Sequence, residues 1–134
     1  MGVISAEHLF FHLECLHATQ RPQILPVLVA HLSTAAGGAV TIQELMSILL
    51  LFPEQYRHRF QAFSLLHPFV IGGITADDVI SVSALFTNKD HRRACVATLA
   101  ELVGTRIELE ILLSEVAVAD KTAVTAVILK SKLQ

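Results

Sequence analysis

The sequence predicts an all-α protein: an antiparallel stack of three to four αα-hairpin repeats, forming a short helical solenoid or bundle. Three observations support this fold class. A similar segment recurs roughly every 30 to 36 residues, each copy opens with a hydroxyl residue followed by an acid or amide, and apolar residues follow at helical spacing. Units of this length bury their apolar faces by stacking on their neighbours.

The first helix of each repeat is predicted to begin at a Ser or Thr, whose side-chain oxygen can accept a hydrogen bond from an unpaired amide of the first turn. These residues are Ser5, Thr41, Thr75 and Thr105. Thr41, Thr75 and Thr105 are followed three places on by an acid, which is the pattern of a capping box or a close variant. The predicted buried faces of these helices are Leu9, Leu13 and Leu16; Leu45, Leu49 and Phe52; Val79 and Phe86 with Ser83 between them; and Leu109, Leu113 and Val116.

A second helix with its own apolar face is predicted in each repeat. The faces are Ile24, Leu28 and Val29; Phe60, Phe63 and Leu65; Ala94, Ala97 and Leu99; and Val124, Val127 and Leu129. Because proline lacks an amide hydrogen, Pro26 leads us to expect that the first of these helices begins near Leu25 or is kinked there.

Glycines are expected to end the second helices in left-handed C-caps, at Gly37-Gly38, Gly72-Gly73 and Gly104. The repeats then span about 5–36, 41–71, 75–103 and 105–133 of a single domain, 1–134.

Composition and net charge favour some classes of function and argue against others. Hydrophobic residues make up 53% of the chain and charged residues 16%, against about 25% charged in a typical soluble domain. We therefore expect a folded domain that covers spare apolar surface with a homo-oligomeric contact. A net charge of -2 argues against nucleic-acid binding, and no apolar run is long enough to span a membrane. Cys15 and Cys95 lack CxxC spacing, which is typical of reduced thiols in an intracellular, cytoplasmic protein.

The second repeat also resembles a known family. The segment 41–52 carries Thr41, Gln43, Glu44, a branched apolar run and Phe52, and a second helix opening with Arg57 follows it. This pattern is similar to the tandem helical repeats of a domain-of-unknown-function family, found in bacterial proteins and at the N-terminus of vertebrate proline- and serine-rich protein 1. The resemblance covers about the central half of the chain. It implies an all-helical repeat fold without established catalytic residues.

Charged residues separate within each repeat. Acids cluster at the starts of the first helices, and bases cluster at the starts of the second helices, where the helix macrodipole opposes them. One interpretation is a basic rim that binds an acidic or phosphorylated segment of a protein partner. The other is a solvated edge that keeps an apolar protein in solution. The candidate rim residues are Arg57, Arg59, His91, Arg92 and Arg93.

A metal site is the other candidate. His8, His12 and Cys15 fall at i, i+4 and i+7 of the first helix, so one face could supply three zinc ligands. No fourth ligand is evident, and the same residues fit a partly buried helix face. The sequence carries no nucleophile elbow and no phosphate loop, so we predict neither an enzyme nor a cofactor. The predicted function is a non-catalytic protein-interaction or scaffold module; the alternatives are a homo-oligomerisation domain and a small helical metal-binding protein.

Overall fold

The computed structural model describes residues 5–32 and 40–130, and most of these residues are helical. The helices are α1 (Ala6–Cys15), α2 (Arg21–Val29), α3 (Ile42–Leu49), α4 (His58–Leu66), α5 (Ala76–Ser83), α6 (Lys89–Ala100), α7 (Arg106–Glu115) and α8 (Val118–Lys130). The described residues form no β-strand, so the all-α fold class is confirmed. None of the helices in these two ranges has both the length and the apolarity needed to cross a membrane. The Gly37-Gly38 pair and the ends of the first and last predicted repeats lie outside the described residues.

The predicted helix starts are confirmed. Ser5, Thr41, Thr75 and Thr105 each accept a hydrogen bond from the amide three residues on, at 3.1 to 3.2 Å. The carboxylates of Glu44 and Asp78 accept from the amides of Thr41 and Thr75 at 2.9 and 3.0 Å, which completes two capping boxes. Local hydrogen bonding alone therefore fixes where these helices begin.

The chain divides into two compact units, Met1–Ile71 and Gly72–Gln134. In the first unit, α1 packs against α2 and α3, and α4 packs against the same two helices. In the second unit, α5 packs against α6 and α7, and α8 packs against the same two helices. Each unit therefore has four helices among its described residues, and each of them packs mainly against two others.

Each unit has its own apolar core. The predicted faces of the first helices supply most of it: Leu9, Leu13, Leu45, Leu49 and Phe52 are buried in the first unit, and Val79, Ser83, Phe86 and Leu109 in the second. Leu16, Leu113 and Val116 are only partly buried. Nine of the twelve predicted positions are therefore buried, so the faces predicted for the first helices are largely correct.

The predicted faces of the second helices need correction. Val29, Phe63, Leu99 and Val124 are buried as predicted, but the residues packed beside them are Leu25, Ala62, Leu66, Cys95, Val96 and Ala100. Ile24, Leu65, Ala94 and Ala97 are only partly buried, and Leu129 is 81% exposed. The predicted faces are therefore rotated by about one residue, because these helices are apolar on more than one side and periodicity cannot choose among the sides.

Of the two alternatives predicted for α2, a start near Leu25 is wrong. This helix begins at Arg21, with Pro22 in its first turn and Pro26 inside it. Pro22 is tolerated because the first amides of a helix have no intrahelical partner. Pro26 removes only the hydrogen bond that its own amide would have given to Pro22.

The described glycines do not cap helices as predicted. Helix α4 ends at Leu66, a 3-10 turn (His67–Phe69) follows it, and α6 ends at Ala100. Gly73, at φ 81°, instead donates its amide to the Leu102 carbonyl at 2.8 Å. A Cβ on Gly104 would lie 2.9 Å from the Cα of Gly73. These glycines therefore let two backbone segments of the second unit approach closely.

Candidate functional site

The bases at the starts of the second helices bind carbonyl oxygens at the ends of the first helices. Arg21 donates from Nε to the Leu13 carbonyl at 2.7 Å and from a terminal nitrogen to the Leu51 carbonyl at 3.1 Å. Lys121 donates from Nζ to the Leu113 carbonyl at 2.7 Å. Carbonyls at the end of a helix lack the donors that a following turn would give, and the bases supply further donors there.

Two further bases make the same kind of contact. Arg59 donates from Nε to the Phe52 carbonyl at 3.0 Å. Arg92 donates from Nε to the Phe86 carbonyl at 3.3 Å and from a terminal nitrogen to the Thr87 carbonyl at 3.1 Å. We call these four residues, Arg21, Arg59, Arg92 and Lys121, the clamp bases, because each fastens the start of one helix to the end of the preceding one.

The clamp bases explain a charge placement that helix dipoles alone would disfavour. Each base opposes the dipole of its own helix but lies beside the negative end of the preceding helix. Hydrogen bonds to a charged donor contribute about 1.5 to 3 kcal/mol, which exceeds the 0.3 to 1 kcal/mol of a typical dipole effect. Bases at these positions therefore stabilise the fold.

The predicted basic rim is divided among several roles. Arg59 and Arg92 are clamp bases. His91 is buried, and its ring lies edge-on to that of Phe86, with 6.3 Å between centroids. Arg93 Nε lies 3.7 Å from a carboxylate oxygen of Asp120. Four of the five rim residues therefore contact groups of this chain. Arg57 and Arg59 belong to the first unit, and the other three belong to the second, so neither unit contains the whole predicted rim.

The fifth rim residue, Arg57, has a different environment. It is exposed, and both Arg57 and the preceding Tyr56 have left-handed backbone conformations, at φ 65° and 56°. Such a conformation costs L-residues about 1 to 2 kcal/mol each. Among the described residues, no carboxylate lies within ion-pair distance of the Arg57 guanidinium. Strained backbone that carries an unpaired charge is a recurrent feature of binding sites.

Arg57 lies at a groove between α2 and α4 with a volume of about 530 Å³, which we call the α2–α4 groove. This volume falls within the range of about 300 to 1,000 Å³ typical of ligand-binding clefts. Most of its lining is apolar. The lining residues are Pro22, Leu25, Pro26, Phe52, Arg57, His58, Phe60, Gln61, Ala62, Ser64 and Leu65.

The electrostatics of the α2–α4 groove favour an anion. Among its described lining residues, Arg57 and His58 are the only basic or titratable ones, and none is acidic. The acid nearest in sequence, Glu54, lies 3.6 Å from the clamp base Arg59, which offsets its charge. The groove therefore combines an apolar floor with one uncompensated positive charge.

Two smaller cavities have a mixed or acidic lining. One, of about 380 Å³ in the second unit, brings the clamp base Arg92 together with Glu115 and Asp120. The other, of about 290 Å³ between α1 and α3, is lined by Glu7 and by Glu44, whose carboxylate belongs to a capping box. Arg92, Asp120 and Glu44 already have partners within the fold, and each cavity carries at least one acid, which disfavours an anion.

The predicted metal ligands lie on the solvent side of α1. His8, His12 and Cys15 are exposed, while Leu9 and Leu13 of the same helix are buried. Within residues 5–32 and 40–130, no three His, Cys, Asp or Glu side chains are placed to hold a metal ion together. The other thiol, Cys95, is buried, and desolvation raises its pKa far above the ordinary value, so it stays a neutral core residue.

Sequence reasoning found Arg57 but missed the rest of the α2–α4 groove. Phe60 and Leu65 were predicted to be buried and Leu25 was assigned to no face, and only packing decides which of these apolar residues line an open groove. One signal was present: Pro22 and Pro26 mark α2 as an unusual helix. Prolines within a helical segment indicate a helix boundary or a kink, however, and do not by themselves predict a groove.

Comparison with protein-family models, with curated proteins and with solved structures finds no match to this chain. The family resemblance of the second repeat therefore stays a prediction.

Proposed function

We propose that this chain is a non-catalytic protein-interaction module whose binding surface is the α2–α4 groove. The observation that carries the proposal is the groove itself: an apolar cleft of about 530 Å³ with an unpaired arginine at its edge. Grooves between helices are a common docking site for peptide segments of partner proteins. Both cysteines are unpaired thiols, which fits a cytoplasmic setting.

The scaffold in this proposal is a set of four αα-hairpin repeats. Support comes from features that recur along the chain: a hydroxyl cap begins each first helix, and a clamp base near the start of each second helix binds the end of the first. A backbone bridge also recurs just before α3 and just before α5. Val40 pairs with Val70, and Ile74 pairs with Val103. Repeated local devices of this kind are typical of repeat proteins.

A selection from random peptides tests this function. The full chain would be immobilised and challenged with a phage library of random short peptides, using wild type, Ser64→Trp and Ser81→Trp. Ser64 is exposed and lines the groove, so a Trp there should fill it, whereas Ser81 is an exposed serine of α5 outside the groove. We expect related peptides that bind wild type and Ser81→Trp but not Ser64→Trp.

Two outcomes would contradict the proposal: no enriched peptide family, or families that bind Ser64→Trp as well as wild type. Circular dichroism and urea unfolding of both Trp variants would establish that the groove is filled in a folded protein. If Ser64→Trp does not fold, Gln61→Trp would be used instead, because Gln61 is another exposed residue that lines the groove.

A homo-oligomerisation domain is the second candidate function. It is favoured by large apolar side chains that lie on the surface of each unit, among them Phe11 at 62% and Ile107 at 67% exposure. Side chains of this size exposed on one protein are often covered by a second copy. The two functions are compatible, because Phe11 and Ile107 do not line the α2–α4 groove.

A further inference from the structure

We infer that the partner segment bound by the α2–α4 groove is an acidic amphipathic helix, whose apolar residues fill the groove and whose Asp or Glu pairs with Arg57. This inference rests on the proposed function and specifies the chemistry of the partner. It depends on three features of the groove: the backbone around it, its charge and the shape of its apolar floor.

The backbone around the groove favours a helical ligand. The lining residues come from α2, from α4 and from the segment that precedes α4, and the described residues have only isolated backbone bridges and no exposed strand edge. An extended peptide would leave its amides and carbonyls without backbone partners in such a groove, which costs free energy. A helix satisfies its own backbone groups and presents side chains alone.

The charge of the groove favours an acidic ligand. The guanidinium of Arg57 has no carboxylate partner among the described residues, and the clamp base Arg59 occupies Glu54. Two successive left-handed residues, Tyr56 and Arg57, restrict the backbone that carries this guanidinium. An exposed arginine beside apolar surface can bind a carboxylate with both of its terminal nitrogens.

The apolar floor gives the spacing that the ligand needs. Phe52 and Leu25 are each 1% exposed and lie beneath the groove, while Phe60 and Leu65 are only partly buried and line it. Two helices that border an apolar cleft accept side chains from one face of a third helix, at positions i, i+3 or i+4, and i+7. The partner should therefore carry aliphatic or aromatic residues at that spacing, next to its acid.

Designed peptides test the inference directly. The probe is a fluorescent peptide of about 15 residues, long enough to form helix, with Leu at i, i+4 and i+7 and one Glu beside them; its partner peptide has Lys in place of that Glu. Binding to the full chain would be measured by fluorescence anisotropy for wild type, Arg57→Glu and Lys89→Glu. Lys89→Glu changes net charge equally at an exposed residue outside the groove.

We expect Arg57→Glu to weaken binding of the Glu peptide at least tenfold, about 1.4 kcal/mol, and to strengthen binding of the Lys peptide. Lys89→Glu should leave both dissociation constants within about twofold, because a distant exposed charge is screened by salt. Equal effects of Arg57→Glu and Lys89→Glu, or equal affinity of wild type for the two peptides, would overturn the inference. Because Arg57 is exposed and carries no described side-chain bond, its replacement should leave the circular dichroism unchanged.

The outcomes also separate this inference from the proposed function. Random peptides that bind wild type but not Ser64→Trp, and that share apolar residues without an acid, would sustain the interaction module and overturn the acidic helix. Absence of any peptide binding would overturn both. Binding to vesicles containing phosphatidylserine, with no binding of the Glu peptide, would show that Arg57 serves a membrane surface and would also overturn the inference.

Discussion

At the scale of single residues, each clamp base connects two successive helices. A positive side chain near the start of one helix reaches the carbonyls at the end of the preceding one, as Arg21 does with Leu13 and Glu14. The contact needs a long side chain with several donors, which is why three of the four clamp bases are arginines. The short connection between the two helices brings donor and acceptors together.

Replacement of Arg21 by Met should lower the free energy of unfolding by about 1.5 to 3 kcal/mol, because Met keeps most of the apolar stem and loses the charged hydrogen bonds. The matched control is Lys89→Met, at an exposed base that starts α6 and binds no described carbonyl. That variant should stay within about 0.5 kcal/mol of wild type. Urea unfolding of both variants checks the prediction, and similar losses for the two would show that the clamp contributes nothing particular.

Caps and clamps differ in how well the sequence reveals them. A cap joins residues three places apart, so Thr41 and Glu44 could be paired from spacing alone. A clamp joins residues on two helices, and its partner depends on the turn between them. The bases were therefore recognised as unusual, but their role as carbonyl donors could not be derived from the sequence.

At the scale of helices, the buried face of the first helix in each predicted repeat was easier to predict than that of the second helix. Helix α3 alternates buried Leu45 and Leu49 with exposed Gln43 and Ser47, so its face is written in the sequence. Helix α2 is apolar or proline on nearly every side. Its orientation is decided by packing against α1 and α4, and the groove between α2 and α4 follows from that packing.

Phe52, which follows the end of α3, is expected to be a principal core residue. Phe52→Ala should cost roughly 3 to 5 kcal/mol, because the ring is 1% exposed and its removal leaves a cavity. Leu50→Ala, two residues away and 58% exposed, should cost under about 1 kcal/mol. Guanidinium unfolding midpoints that are the same for these two variants would place Phe52 outside the core.

Acid should weaken the end of α4 through His67. This residue begins the 3-10 turn after α4, its ring centroid lies 5.6 Å from that of Phe63, and burial lowers its pKa from 6.5. Because the unfolded chain then binds the proton more readily, the contribution of His67 to stability is present above pH 6.5 and is lost as pH falls toward its lowered folded value.

The His67→Gln variant measures that contribution. Unfolding free energies at about pH 7.5 and pH 5.5 should show a larger acid loss for wild type than for the variant, since Gln cannot titrate. An equal loss in the two proteins would mean that other groups carry the acid sensitivity.

For the whole molecule, exposed apolar surface is the feature that the isolated chain leaves unexplained. The composition predicted spare apolar surface, and the apolar runs of α1 and α7 do expose large side chains: Phe11 in α1, and Ile107 and Ile111 in α7. Leu9, Leu13 and Leu112 of the same apolar runs are buried. Composition could indicate a surplus of apolar surface, whereas only the packing of α1 and α7 shows which side chains form it.

Self-association is the expected consequence of this surface. Ile107 and Ile111 lie at i and i+4 of α7, so they share one exposed face that a second copy could cover about a two-fold axis. Sedimentation equilibrium at micromolar concentrations should give wild type a mass above the monomer's 14.6 kDa. The double variant Ile107→Gln and Ile111→Gln, which preserves net charge, should shift the mass toward the monomer if α7 forms the contact, and Phe11→Gln should do so if the contact involves α1. A single species of 14.6 kDa for wild type would show that the chain does not associate, and an oligomer unaffected by either variant would place the contact away from both helices.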